Sequence, residues 1–254
     1  MSIEIVSQLL TEVRNSSNLL EENIINKLNL LGLDPKLAVI HNGVVDYNGD
    51  VSIHRKNLSE IPVQFGKVTG FFICYENNLT SLKGCPHTVG AGFYCSENKL
   101  TSLKYAPQRV NGDFDCSFNN LTSLQGCQQI IHGVFRCDNN NLTSLQGGPN
   151  QVGAFNAGYN KLTSLQGGPK SITGTYTVKN NNLTSCKGAP DKLPRGSFDC
   201  SSNNLTSLTG CPKYVDVSFY CYNNPGNFTE QDVRSVCDVD GKINPKAFVP
   251  DQFI

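Results

Sequence analysis

The sequence predicts an α+β repeat solenoid, a coil of short parallel strands closed by a helical cap at each end. Three observations predict it. First, Asn-x-Leu-Thr-Ser-Leu recurs with its asparagine at Asn77, Asn98, Asn119, Asn140, Asn160 and Asn203. A further copy at Asn181 ends in Cys186 in place of leucine. Successive copies lie 21, 21, 21, 20, 21 and 22 residues apart. A fixed period of this length marks stacked units, not one globular core. Second, the copies align into an aromatic column, Phe72, Phe93, Phe114, Phe135, Phe155, Tyr176, Phe198 and Phe219. Two residues after each stands a small one: Cys74, Cys95, Cys116, Cys137, Ala157, Val178, Cys200 and Cys221. Third, glycine and proline punctuate every copy, with prolines at 86, 107, 149, 169, 190 and 212 and Gln128 breaking the column.

Residues two apart on an extended segment point to the same side. Phe-x-Cys therefore reads as a short strand with the aromatic and the thiol turned inward. The asparagine falls where the chain must turn, and its amide can donate and accept, so stacked copies make a ladder that satisfies backbone groups in the bend. The leucines and the later Val89, Val110, Ile131, Val152, Ile172, Leu193 and Val215 bring the return segment back to the core. Glycine and proline there predict loop or 3₁₀ structure.

Cys-x-x-Asn-x-Leu after an aromatic resembles a short form of the leucine-rich repeat, with Phe and Cys in place of the two strand leucines. The Gly-x-Phe-x-Cys-Ser-x-Asn-x-Leu-Thr-Ser-Leu wording is most similar to repeat proteins encoded by bacteriophages, and more distantly to the LPX-type repeats of bacterial effectors. The resemblance covers roughly residues 51–225. It implies a right-handed leucine-rich-repeat coil with a short-stranded parallel sheet. For function it implies only a binding scaffold, because such repeats take very different partners.

Three regions follow. Residues 1–50 form a helical cap and a lead-in hairpin, 51–225 the solenoid, and 226–254 a C-terminal cap and tail. Ile5, Val6, Leu9, Leu10 and Val13 mark one apolar helix face and Leu20, Ile24, Leu28 and Leu31 another, with Gly32 closing the helix. Asn42-Gly43 and Asn48-Gly49 predict turns between short strands at 37–40, 44–45 and 51–53. Val51-Ser52-Ile53 also begins a degenerate first repeat with Lys56 at the asparagine position. Near the other end, Thr229 and Asp232 fit a capping box, and Phe228 with Val233 fits a staple, for a short helix to about Cys237. Ile243, Phe248, Val249, Phe253 and Ile254 let the tail pack back.

Lys plus Arg number 21 and Asp plus Glu 21, a balance unlike that of a general polyanion binder. Nine of the 11 cysteines fall in two repeat columns that elsewhere hold Ala, Val or Gly, so they serve as small apolar residues. No Cys-x-x-Cys pair occurs, and His41, His54, His87 and His132 lack ligand spacing, so neither a metal nor a cofactor is expected. Unpaired thiols point to a reducing, cytoplasmic setting. No signal peptide or apolar span is expected.

The residues flanking Phe-x-Cys face outward and vary most between turns. They hold exposed aromatics and charges in a density that suits an interface. The candidate partner-binding residues are Phe71, Ile73, Tyr75, Tyr94, Asp113, Asp115, Phe118, Arg136, Asp138, Tyr159, Lys179, Tyr220 and Tyr222. Carboxylate pairs such as Asp113 and Asp115 lie on a wet strand face where nothing would shift their pKa values, so no catalytic residue is expected. The expected function is a non-enzymatic protein-binding module, in the resemblance's terms a phage inhibitor that occupies a host protein, with no nucleic acid and no membrane. The alternative is a structural or adhesion component of a phage particle.

Overall fold

The computed structural model describes residues 3–246 and the side chains of residues 16–246. It is a parallel β-solenoid of about 10 turns, with helices confined to its ends. The main row of strands runs Val51–Ser52, Phe72–Ile73, Phe93–Tyr94, Phe114–Asp115, then the C-terminal halves of Ile130–Arg136 and Gln151–Asn156. It continues through Tyr176–Thr177, Phe198–Asp199, Ser218–Tyr220 and Lys242–Asn244. Register is strict: Phe72 pairs Phe93, Phe93 pairs Phe114, Phe114 pairs Phe135, and so on to Phe219.

The inward assignment of the strand residues holds. Every member of the aromatic column and of the small-residue column is buried. The rings stack rung on rung at 5.8, 5.1, 5.6, 6.0, 4.9, 5.9 and 5.2 Å from Phe72 to Phe219. That spacing suits offset and edge-to-face packing. One member departs chemically. Tyr176 is fully buried, and its hydroxyl has no hydrogen-bond partner among the described residues. Tyr176→Phe is therefore expected to raise stability by about 1 kcal/mol, because it removes a desolvated donor without changing the ring. A melting temperature below that of the parent would contradict this.

The asparagine column acts on the backbone, not on itself. The Asn98 side-chain amide donates to the carbonyls of Cys95 and Ser96 in its own turn and of Cys74 in the turn before. Its Oδ1 accepts the amide of Leu79 at 2.9 Å. Asn77, Asn119, Asn140, Asn160, Asn181, Asn203 and Asn224 repeat this pattern. Each asparagine thus ties two turns together at a bend where the backbone would otherwise leave buried polar groups unpaired.

The return segment is more regular than glycine and proline led us to expect. The later Val column forms a second set of short parallel strands, Thr88–Val89, Arg109–Val110, Ser171–Ile172, Lys192–Leu193, Tyr214–Val215 and Asp238–Val239 among them. Two residues per strand is too short for propensity to announce. The second residue of each, Val89, Val110, Ile172, Leu193, Val215 and Val239, is buried in the core. Between Val110 and Ile130 strand pairing lapses, and Gln128, the break in the proline column, fills the gap. Its amide accepts from Val110 N at 2.8 Å and donates to Val110 O at 3.3 Å.

At the N-terminal end, α1 (Ile3–Leu30) closes with Gly32 at φ +74, Gly32 N bonded to Asn29 O and Leu33 N to Leu28 O. This is a Schellman ending with buried Leu28 and Leu33 as its apolar contact. Ile24, Leu28 and Leu31 cover the first turns as expected, but Leu20 is half exposed, so only the last part of α1 caps the coil. The expected face from Ile5 to Val13 lies outside the described side chains. β1 (Ala38–His41) and β2 (Val44–Tyr47) form an antiparallel hairpin. Its turn has positive φ at both Asn42 and Gly43, the type I′ signature. The third expected hairpin strand does not join them. Val51–Ser52 pairs in parallel with Phe72–Ile73 and starts the main row instead.

At the other end α2 (Glu230–Arg234) carries the expected capping box between Thr229 and Asp232, over buried Phe228 and Val233. The tail does more than pack back. Lys242–Asn244 pairs with Ser218–Tyr220 and adds a further rung. Phe248, Val249, Phe253 and Ile254 lie outside the described residues.

Candidate functional site

The main row presents one continuous outward line: Ile73, Tyr94, Asp115, Arg136, Asn156, Thr177, Asp199 and Tyr220 in strict register. Beside it, one residue before each ladder asparagine, runs a second line with unusual backbone. Glu76, Glu97, Phe118, Asn139, Tyr159, Asn180, Ser202 and Asn223 all have φ between 50° and 54°. Left-handed backbone is cheap for Asn and Gly and costs a bulky residue about 1 kcal/mol or more. Asparagine occupies three of these positions. Phe118 and Tyr159 occupy two others, and they are 53% and 49% exposed. Neither burial nor backbone preference accounts for an aromatic there.

The face is not uniform. Around its N-terminal end the aromatics are knitted into the surface. Tyr75 stacks on His54 at 4.7 Å and lies beneath Arg55, which also holds Glu76 in a two-pronged ion pair. The Arg55 guanidinium keeps the Glu76 carboxyl below its ordinary range. Tyr94 leans over Gly92, approaches Phe71 at 6.1 Å and points its hydroxyl at Asp113 3.4 Å away. Burial and the nearby Asp113 push its phenol pKa up.

Most of the acids are committed to the fold. Asp113 accepts from Val134 N and Asp115 from the amide and hydroxyl of Ser117, while Arg136 stands 3.9 Å from Asp115. Asp138 corrects the sequence reading: it is buried, not displayed. Its two oxygens accept from Asn139 and Asn156, which fold the carboxylate down along the sheet. Burial pushes its pKa up.

The expected site residues thus divide. Phe71, Phe118, Arg136 and Tyr159 are exposed; Ile73, Tyr75, Tyr94, Asp113, Asp115, Lys179, Tyr220 and Tyr222 are partly covered. Phe118, Arg136 and Tyr159 come from three successive turns. With strands about 4.8 Å apart, the two aromatics stand about 10 Å from each other with the guanidinium's turn between them. Lys179 of the next turn sits 5.5 Å over the Tyr159 ring.

Phe118→Asn is expected to raise stability by about 1 kcal/mol, since asparagine tolerates this backbone and already occupies the column. A fall in stability would mean that the ring packs in a way the exposure does not indicate.

Two features escaped sequence reasoning. Tyr105 takes φ +69 and is 53% exposed at a position where the other turns hold Gly84, Gly126, Gly147, Gly167, Gly188 and Gly210. The broken glycine column was its signal. Inside the coil, against the expectation of no metal-ligand set, Cys186, Cys200 and Cys211 place their Sγ atoms within 4.8 Å of one another. Their sequence separation hides this. No helix among the described residues is long and apolar enough to cross a membrane.

No family model matches the chain, and a search of curated proteins also returns no match.

Proposed function

We propose that the chain is a non-enzymatic protein-binding module whose contact centre is the Phe118–Arg136–Tyr159 patch. The observation that carries this is the pair of half-exposed aromatics held on left-handed backbone where asparagine would be the less strained choice. Strain kept at an exposed aromatic marks positions retained for something other than folding. Tyr and Arg are enriched among residues that dominate binding energy, and a central cluster with a polar surround is the arrangement they take. The acids on this face are largely consumed by backbone and side-chain hydrogen bonds, which leaves a rim of mixed charge. The face suits a protein surface and gives phosphate backbones no basic stripe to follow.

The asparagine ladder and the motif wording support reading the coil as a short leucine-rich-repeat variant of the phage-encoded kind. On that reading the module works in the bacterial cytoplasm by occupying a host protein. The test is affinity capture from host lysate with the parent chain and with a Phe118→Asn/Tyr159→Asn double variant, quantified by mass spectrometry. A protein retained by the parent and at least tenfold depleted with the variant is the expected result. Equal recovery with both chains, or capture of nothing by either, would overturn the proposal.

A further inference from the structure

Inside the coil, the three thiols that meet at 4.8 Å or less come from different columns of the repeat. Cys200 belongs to the small-residue column of the strands and Cys211 to the small-residue column before the prolines, where cysteine fills space as alanine or glycine does elsewhere. Cys186 is different. It stands in the second leucine column, whose other members are Leu82, Leu103, Leu124, Leu145, Leu165 and Leu208. All of these are buried, and so is Cys186. The exchange of a large side chain for a thiol gives up packing in the core, and it does so opposite two other cysteines.

The same chain contains the corresponding arrangement without the third thiol. Leu103 faces the next turn, whose equivalent positions are Cys116 and Cys127, all buried. Leucine therefore fits opposite a cysteine pair in this coil, and packing does not explain Cys186.

We infer that Cys186, Cys200 and Cys211 form a binding site for one soft, monovalent metal ion of the Cu(I) class. Three sulfurs with no carboxylate or imidazole in the group select thiophilic ions over oxygen-seeking ones. Metal–sulfur bonds of about 2.3 Å place three trigonal sulfurs about 4 Å apart. The observed separations need only a small contraction to reach that. A tetrahedral ion such as Zn(II) would require a fourth donor that the cluster does not hold. Binding displaces protons from the thiols, because the thiolate is the metal ligand, so retention of the ion is expected to rise with pH. Cys200 and Cys186 are fully enclosed, and Cys211 is only partly covered, which opens the side from which an ion would enter.

The experiment is anaerobic titration of the reduced full-length chain with Cu(I) against a colorimetric Cu(I) chelator. The parent is expected to retain one ion per chain, Cys186→Leu none, and Leu103→Cys two, because the last completes a second three-thiol set with Cys116 and Cys127. Thermal melts check that both variants fold; the Leu103 arrangement already shows that the first is compatible. Equal retention by the parent and Cys186→Leu, no retention by the parent, or a single ion on Leu103→Cys would each overturn the assignment.

Discussion

Asn119→Ala is expected to lower the stability of the fold by roughly 4 kcal/mol in equilibrium denaturation, among the largest effects of any single side chain here. The Asn119 amide donates to Cys116 O and Ser117 O in its own turn and to Cys95 O in the turn before, at 3.2, 3.1 and 3.1 Å. Its Oδ1 accepts from Leu100 N at 2.9 Å. Alanine leaves Leu100 N buried without a partner, which costs about 1–3 kcal/mol in a dry bend. It also takes one of two donors from each carbonyl: Cys95 O keeps Asn98 Nδ2, Cys116 O keeps Asn140 Nδ2 and Ser117 O keeps Glu97 N. Asn119→Asp separates donor from acceptor. It keeps the bond to Leu100 N but aims a carboxylate at three carbonyls, so its folded-state pKa is raised above the unfolded value. Stability is then greatest while the carboxyl is protonated and is lost as pH rises through the raised folded pKa. The aspartate variant should therefore recover part of its loss on acidification, while the alanine variant should not. A loss under 1 kcal/mol for Asn119→Ala would contradict the ladder.

Phe114→Ala is the second large effect, expected at about 3–5 kcal/mol. Phe114 is fully buried and touches Phe93 at 5.1 Å and Phe135 at 5.6 Å, so its removal breaks two ring contacts in a continuous stack. A solenoid is stabilised by its internal turns and the interfaces between neighbours. A hole in mid-stack therefore weakens communication between the two halves as well as the turn that carries it. The expected signature in calorimetry is a lower and broader transition than that of Asp115→Ala one residue away, whose side chain points outward. Equal melting temperatures for the two variants would be the contrary result.

How much of this was legible in the sequence follows from what repetition can encode. Columns average over copies, so features carried by residue type in every turn were readable: the aromatic stack, the inward thiols, the asparagine at the bend and the alternation of faces. The caps were readable because Gly32 and the Thr229–Asp232 pair have local chemistry of their own. The second row of strands was not, because two-residue segments between glycine and proline carry no periodicity of their own. Their pairing comes from stacking. The site was only partly legible. Alternation placed both Tyr94 and Asp138 on the displayed face, but it could not tell that Tyr94 would lie down over Gly92 or that two asparagine amides would draw Asp138 into cover. Left-handed backbone, which distinguishes Phe118 and Tyr159 from the other aromatics, is a property of the bend and not of the residue type. The single-turn departures, Tyr105, Gln128 and Cys186, were visible as broken columns; what each departure does depends on contacts between turns.

The most direct test of the central claim, that rings and thiols line the inside of the coil while the varied face looks out, is residue-resolved alkylation of the reduced native chain. Burial pushes the thiols of Cys95, Cys116 and Cys137 well up from the ordinary range and removes their access to reagent. These three should stay unmodified in native buffer and react fully once denaturant is added. Prompt modification of Cys95 or Cys116 in the folded chain would contradict the account and turn its surfaces inside out.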